Sequence, residues 1–364
     1  MENKKTFILG AGSSISASKG KLPSIQNFFE KLKELGLSKS ENLDRIKYYV
    51  ESNLGKSIDK KQDKLDIENL LTLLQIDVEK SNRPEFIQIR DDLINLISTV
   101  IDSCQNNIDI DEDYPYFSSL LNEKDTIITF NWDTLLDITL KEQKKEQYFR
   151  YIEEFTANYE QDPNEEKYFK SPYTLDINYD LKGNLLKMHG SIDWYCCKNN
   201  YCKIANKIFI LDTKESSFPY KCGECHEPVY VMIIPPVLNK SYNIIPIIRK
   251  IWNVAARDIE VTNHLIIWGY SLPPTDFYSE WLIRQIRKGR RLTDLTIIDP
   301  SVITQTTTNT TISYRFVRKY YDIFRDLGLS KSNISLYQYF SDYKDKIDVF
   351  EKFQIGREHF LERL

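Results

Sequence analysis

The residues of this chain that could do chemistry are a small-residue turn near the amino terminus, two polar strand ends and a late cluster of cysteines. Thr6-Phe7-Ile8-Leu9 has strand propensity and runs directly into Gly10-Ala11-Gly12-Ser13-Ser14. Glycine admits positive φ and lets a ligand approach the main chain closely. Amides beyond Gly12 would then face an anion at the positive end of the following helix. The stretch predicts a phosphate-bearing ligand at the end of the first strand.

A dinucleotide fingerprint of the dehydrogenase type needs a third glycine three residues after the second, and an acid closing the next strand about 20 residues on. Ile15 holds that third position, and Glu30 and Glu34 fall in an amphipathic stretch with Phe28, Phe29, Leu32 and Leu35 at helical spacing. Hydride transfer is therefore disfavoured.

Further along, Asn131 and Asp133 follow the apolar run Thr126–Phe130, and His189-Gly190-Ser191 follows Leu185–Met188. Gly269-Tyr270-Ser271 follows His264–Trp268, and Asp299-Pro300-Ser301 follows Leu295–Ile298. In a parallel sheet ligands bind beyond the carboxyl ends of the strands, where all of these residues would sit. Any single strand end closes naturally on a small or polar residue. An asparagine and a histidine each directly behind an apolar strand are less ordinary. The default for a lone histidine, a hydrogen-bonded structural role, is kept for His226, His264 and His359.

The elements that must position these residues can be read from apolar spacing. Leu43, Ile46, Tyr49 and Val50 form one helical stripe; Ile67, Leu70, Leu71 and Leu74 form a second; Phe86, Ile89, Leu93, Leu96, Ile97 and Val100 form a third. Residues 25–110 thus read as mostly helical, inserted between the first and second strands. Val229–Ile234 joins the runs above as a buried-type strand, and helices are expected at 244–260, 276–289 and 314–327. A last strand is expected at 334–340, an irregular excursion at 141–180 and a low-complexity loop at Thr304–Thr311. The alternation predicts an α/β fold with a parallel sheet and helices on both faces.

Composition sets the bounds. With 364 residues, 41% hydrophobic and 28% charged, the chain has ample material for a core. A net charge of −4 gives no bulk attraction to nucleic acid. No apolar run approaches the ~20 residues of a membrane span, and the run after Lys4 and Lys5 is too short for a secretory leader. A cytoplasmic protein is expected. Five of the six cysteines lie between Cys196 and Cys225, which points to metal rather than a disulfide framework. Cys222-Gly223-Glu224-Cys225 is half of a tetrahedral zinc site. The other half is irregular, and Cys197 and Cys202 are the favoured partners, with Cys196 or His226 as substitutes and a metal-free ribbon as the alternative. Any zinc here would be structural. Cys104 reads as a small buried hydrophobe.

Taken in order, Gly10-Ala11-Gly12-Ser13, Thr129-Phe130-Asn131-Trp132-Asp133, His189-Gly190-Ser191 and the following cysteine cluster resemble the sirtuins. Gly269-Tyr270-Ser271-Leu272-Pro273 followed by Asp276 is similar to a bacterial and archaeal branch of that superfamily, whose members often consume NAD in defence against phage. The resemblance spans residues 6 to about 301, with the helical insertion outside it. It implies a Rossmann-like NAD-binding core made of residues 1–24 and 125–301, a helical insertion or lid at 25–124, a Cys-rich module at 195–228, and C-terminal helices with the last strand at 302–364. It also implies that Gly10, Ala11, Gly12 and Ser13 cradle the NAD pyrophosphate, that Asn131 positions a water beneath the nicotinamide ribose, and that Asp133 holds the ribose or carboxamide. His189 would bond ribose hydroxyls and act as general base, while Gly269, Ser271 and Asp299 would line the adenosine side.

The departure from a deacylating sirtuin is local. Lys21-Leu22-Pro23-Ser24-Ile25-Gln26 stands where that pattern carries Gly-Ile-Pro and then Asp-Phe-Arg, so the shielding aromatic and its arginine are missing. The expected activity is NAD hydrolysis to nicotinamide and ADP-ribose by a gated anti-phage effector. Protein deacylation and non-catalytic sensing of NAD or ADP-ribose are the alternatives. The expected partners are NAD and further copies of the chain, or a separate sensor or ATPase chain.

Overall fold

The computed structural model describes residues 3–38, 41–60, 62–81, 83–106, 108, 110–144, 149–150, 159–161, 167–169, 183–199, 201–204, 208–210, 221–235, 246–273, 276–305, 310–355, 357 and 360. His359 and most of the 141–180 excursion lie outside them.

The first strand, β1 (Lys5–Leu9), leads into α1 (Ala11–Ala17). Five helices follow before the chain returns to the sheet: α2 (Phe28–Glu34), α3 (Glu41–Leu54), α4 (Ile67–Ser81), α5 (Pro84–Gln105) and α6 (Asp113–Ser119). The three stripes expected from spacing fall on α3, α4 and α5, and their apolar residues are buried except Phe86, which packs partly buried against them. Pro84 starts α5 at a position where its missing N–H costs nothing.

Then come β2 (Thr126–Thr129), α7 (Leu135–Glu142), β3 (Gly183–Lys187), β4 (Gly190–Cys197), β5 (Val229–Ile233), α8 (Pro246–Glu260) and β6 (His264–Trp268). The expected 276–289 helix is two helices, α9 (Phe277–Arg284) and α10 (Ile286–Gly289). After them lie β7 (Asp294–Ile298), α11 (Tyr314–Phe324) and β8 (Ile334–Tyr337).

The main sheet runs β8-β7-β6-β1-β2-β3, with Phe149–Arg150 as a short seventh strand beyond β3, and every pairing in it is parallel. Chain order reverses direction between β1 and β6. That is the topological switch point of a doubly wound, Rossmann-like sheet.

Alternation along the strands divides the interior in two. Phe7, Leu9, Ile127, Leu185, Ile266 and Trp268 face the helical insertion and α7, whereas Ile8, Ile128, Leu186, Leu265 and Ile267 face α8, α9 and α11. The expected α/β class with helices on both faces is what the chain forms.

Two expectations change, and one strand was not expected. Val229–Ile234 does not extend the parallel sheet: β5 pairs antiparallel with β4 in a separate three-stranded sheet. β4 itself went unread because both its faces are buried, so it lacks a polar–apolar alternation. Thr304–Thr311 is not simply a loop, since Ile303–Gln305 and Thr310–Ile312 pair antiparallel.

The switch point is held by backbone meeting backbone. Gly10 N donates to Trp268 O at 3.1 Å and Gly12 N to Gly269 O at 3.0 Å. A Cβ on Gly12 would lie 2.7 Å from Gly269 Cα, and one on Gly269, whose φ is +64°, would overlap Ser13 N. Gly328 also has positive φ (+76°) but nothing within 4 Å of a built Cβ. Gly328→Ala should therefore cost only the ~1–2 kcal/mol of left-handed backbone. Gly269→Ala should add about 1–3 kcal/mol of overpacking. Urea unfolding of the two variants checks this, and equal losses would show that the turns are not in hard contact.

Candidate functional site at the topological switch point

At the carboxyl ends of β1, β2, β3 and β6 lies a cavity with roughly 950 Å³ of open space, its mouth included. Of the residues singled out from sequence, Gly10, Ala11, Asn131, Asp133, His189, Gly269 and Ser271 line it; Gly12, Ser13 and Asp299 do not. The opposite wall comes from the helical insertion and the segment leading into it: Leu22, Pro23, Ile25, Phe28, Ile67 and Ile97. Phe28 therefore supplies an aromatic wall that the local comparison at residues 21–26 missed.

The glycine turn differs from the expected amide cradle. The amides of Gly10 and Gly12 bond carbonyls of the β6 turn, and Ser13 N bonds Gly10 O at 2.9 Å. The reason is the close approach of Gly269, whose carbonyl takes the place facing Gly12 N. Asp299 likewise turns inward on its own segment, where Oδ1 accepts from Ser301 N at 2.7 Å and burial pushes its carboxyl pKa up.

Asn131 is 8% exposed. Its Nδ2 donates to Gly10 O at 3.0 Å and lies 2.9 Å from Ser14 Oγ and 3.2 Å from Ser13 Oγ. Its Oδ1 is buried with no protein hydrogen-bond partner. A buried carbonyl oxygen left without a donor costs about 1–3 kcal/mol unless a ligand or water supplies one. The oxygen is thus an acceptor kept for something that enters the cavity.

His189 is 3% exposed, and its ring stands edge-on to Phe130 with centroids 5.1 Å apart. Its Nε2 lies 3.5 Å from Asp276 Oδ2. Asp276, 1% exposed and also lining the cavity, caps α9 through Ser279 N and accepts from Tyr270 OH at 3.2 Å. Tyr270 stacks on Phe130 at 4.4 Å, and the Tyr320 hydroxyl donates to its carbonyl. Asp276 and Tyr270 appear in the sequence only as part of a motif. The approach of Asp276 to His189 joins positions 87 apart in chain numbering, which local spacing does not reveal.

Asp133 accepts from Leu135 N at 3.1 Å, and burial raises its carboxyl pKa, with nearby Lys187 opposing the rise. Lys187 is 1% exposed; its Nζ donates to Asp133 O at 2.7 Å and to Asp137 Oδ2 at 2.9 Å. Burial works against the ammonium, yet Asp137, Asp193 and Asp133 together keep its pKa above the ordinary value. Asp193 is pushed up to about 6 by burial, with Lys187 pulling the other way. This lysine ties the Asn131–Thr134 loop to β3. Among the described residues lining the cavity there is no lysine or arginine, while Asp133, Asp276 and Glu68 supply carboxylates. The field there suits a cationic group.

Away from the cavity, the sulfurs of Cys197, Cys202, Cys222 and Cys225 all lie within 4.8 Å of one another, with Cys197–Cys225 at 3.4 Å and Cys202–Cys222 at 3.7 Å. Thiolates ~2.3 Å from a tetrahedral zinc stand about 3.8 Å apart, so the set fits zinc. Cys196 faces the opposite core and is no substitute. Four sulfurs would leave no open position, so zinc held there would brace the β4–β5 module.

No protein-family model matches the sequence, and neither does any curated protein sequence. Among solved structures, the chain is similar to a Sir2 homologue in complex with NAD, at 13% identity and a TM-score of 0.46, covering 100% of this chain and 91% of that one. It is also similar to Sir2Tm bound to a propionylated peptide, at 12% identity and a TM-score of 0.37, covering 97% and 94%. At that level the likenesses add nothing to what the sheet order already establishes. No helix among the described residues is long and apolar enough to cross a membrane.

Two outcomes test the site's framework. Lys187→Met leaves buried carboxylates without their cation and should cost about 3–5 kcal/mol in urea unfolding. Purified protein should carry one zinc per chain by elemental analysis, and Cys222→Ser should lose both the metal and thermal stability; a zinc-free wild type of equal stability would point to a metal-free ribbon.

Proposed function

We propose that the chain is an NAD hydrolase that releases nicotinamide and ADP-ribose. The observation that carries this reading is that Asn131 and His189 border one cavity beside the Gly10 turn, with the Asn131 oxygen buried and short of a donor. Nicotinamide leaves as a neutral ring from a cationic one, so the protein must stabilise an oxocarbenium-like sugar and present a nucleophile to its other face. A water donating one proton to Asn131 Oδ1 is oriented without placing a charge beside that sugar. As the water oxygen bonds C1′, the C1′–N bond breaks and its electron pair leaves with nicotinamide. The water's remaining acidic proton passes to the imidazole of His189, acting as general base. Asp276 beside Nε2 would hold the ring and stabilise the imidazolium.

The lining formed by the described residues, with carboxylates and no lysine or arginine, supports a ligand with a positive pyridinium ring. Asp133 is assigned to the ribose or carboxamide, and Ser271 with Gly269 to the adenosine side. Asp299 is left out of the site because it is engaged by its own turn. Leu22–Ile25 in the wall, with no arginine among them, support water over an acyl group as the acceptor of ADP-ribose. The sequence resemblance supports a role as an anti-phage effector. An NAD hydrolase needs a gate, and the insertion walling the cavity is its natural seat, worked by further copies of the chain or by a separate sensor or ATPase chain.

Incubated with NAD alone, the protein together with its activating partner should release nicotinamide, and Asn131→Ala and His189→Ala should each slow release by about 100-fold or more. Turnover that appears only when an acyl-lysine peptide is added would identify a deacylase. Tight NAD binding without release would identify a sensor.

A further inference from the structure

We propose that Lys319, on α11, is a specificity-determining residue that admits a 2′-phosphate on the adenosine ribose, so that the substrates include NADP as well as NAD. This deepens the hydrolase reading and rests on it for turnover, while the claim about ligand binding stands or falls separately.

The sheet order says where the two halves of a dinucleotide lie. Asn131 follows β2 and His189 follows β3, both on one side of the switch point between β1 and β6. With the nicotinamide ribose there, the adenosine half extends across the switch point along the ends of β6 and β7. Ser271 lines the cavity just beyond β6, and Asp299 directly follows β7. The pyrophosphate joins the two halves and so belongs at the switch point itself, beside Gly10 and Gly269. A charge on the β6–β7 flank therefore meets the adenosine ribose rather than the pyrophosphate.

In doubly wound sheets a carboxylate that bonds the ribose hydroxyls favours NAD, and a cation nearby accommodates the 2′-phosphate of NADP. Here the carboxylate is engaged elsewhere and the cation is present. Asp299 is 7% exposed, and its Oδ1 accepts from Ser301 N at 2.7 Å. Lys319 is partly exposed, and its Nζ donates to Ser271 O at 3.5 Å. One long bond leaves most of the donor capacity of an ammonium group for a ligand.

The lysine is held at this rim by its helix. Tyr320, the next residue, is fully buried, and its hydroxyl donates to Tyr270 O, the carbonyl before the one that Lys319 reaches. At the start of α11, Ser313 N bonds Val302 O at 2.7 Å, which ties the helix to the turn after Asp299. Two other cations of this segment are already paired, Arg318 with Asp322 and Arg325 with Asp326. Among the described residues Lys319 has no such pair, and its Nζ lies 6.0 Å from the Phe316 ring centre.

The polarity of the site matches the ligand. Asp133 and Asp276 line the cavity near Asn131 and His189, where the pyridinium would stand, and the Lys319 ammonium stands at the other flank. NADP carries its charges in that order, a positive ring at one end and the 2′-phosphate at the other. The added phosphate gains a charge-assisted bond, whereas NAD presents only hydroxyls there and gains little from the charge.

ADP-ribose and its 2′-phosphate test this by calorimetry, because neither has a nicotinamide to lose. Wild type should bind the phosphorylated ligand at least as tightly as the plain one. Lys319→Gln can still donate to Ser271 O but carries no charge; it should weaken the phosphorylated ligand about tenfold and ADP-ribose by less than about twofold. Lys319→Arg should behave as wild type. Added salt should weaken the phosphorylated ligand more in wild type than in Lys319→Gln. A wild type that clearly prefers ADP-ribose, or a Lys319→Gln variant that weakens both ligands alike or neither, overturns the proposal. With its activating partner, the protein should release nicotinamide from NADP as well as from NAD, and Lys319→Gln should lower kcat/KM for NADP alone. Release from NAD only overturns the proposal and leaves the hydrolase reading in place. Both ligands bound as expected, with no release from either dinucleotide, refutes the hydrolase reading alone, and a wild type that binds neither ligand overturns both.

Discussion

Everything at the candidate site depends on two turns, one after β1 and one after β6, packing with no side chain between them. Gly12 and Gly269 are 257 positions apart in the sequence and meet Cα against backbone. Only hydrogen fits on either residue at that distance, and Gly269 also adopts a φ that L side chains rarely tolerate. The contact brings the Tyr270–Ser271 segment to the rim of the cavity and sets Tyr270 against Phe130, the residue that precedes Asn131. It also consumes amides. The glycines of the first turn serve protein–protein closeness before they serve a ligand, so the groups that most clearly await a partner are side chains, Asn131 above all.

The polar interior around that asparagine is ordered from outside inwards. Lys187 anchors the loop through the Asp133 carbonyl and Asp137, and its charge answers carboxylates that burial would otherwise neutralise. On the same loop, the Asn131 amide donates to Ser14 Oγ at 2.9 Å and to Gly10 O at 3.0 Å. Removing one partner from such a network strands a buried group, which costs more than an exposed pair would. The lysine thus holds the backbone of the Asn131–Thr134 loop, while the first turn orients the amide itself.

Much of the architecture was legible because it is periodic. The stripes on α3, α4 and α5 and the apolar runs of β1, β2, β3, β6 and β7 repeat at spacings that only burial on one face or both explains. The four-cysteine set was legible despite the irregular gap between Cys197 and Cys202, since Cys222 and Cys225 needed two more sulfurs and few were at hand. Tyr114 was not legible. It is one of 23 tyrosines, and its partners Ser13 and Ser14 lie about 100 positions away. Asp276 carries no local sign that it will stand beside His189, and Lys187 looks like any strand-end lysine until β4 and α7 enclose it. Periodicity reports faces; it does not report which faces meet.

The proposed hydrolysis would consume one water in a site that must exclude the rest, and the insertion is built for that division. Its wall is Leu22, Ile25, Phe28, Ile67 and Ile97, side chains that offer no hydrogen bond to solvent, while the opposing strand ends carry the amide, imidazole and carboxylates. A cavity so divided holds few ordered waters, and those must sit on the polar side, because only there do they find two or more partners. The electrostatic interactions of Asp133, Asp276 and His189 are strengthened by the same apolar cover. If the insertion lifts, both conditions lapse together: bulk water enters, and the apolar cover that strengthens those interactions is lost. The helical segment between the first two strands is therefore suited to the proposed gating for a physical reason, since the side chains that seal the cavity belong to one packed unit.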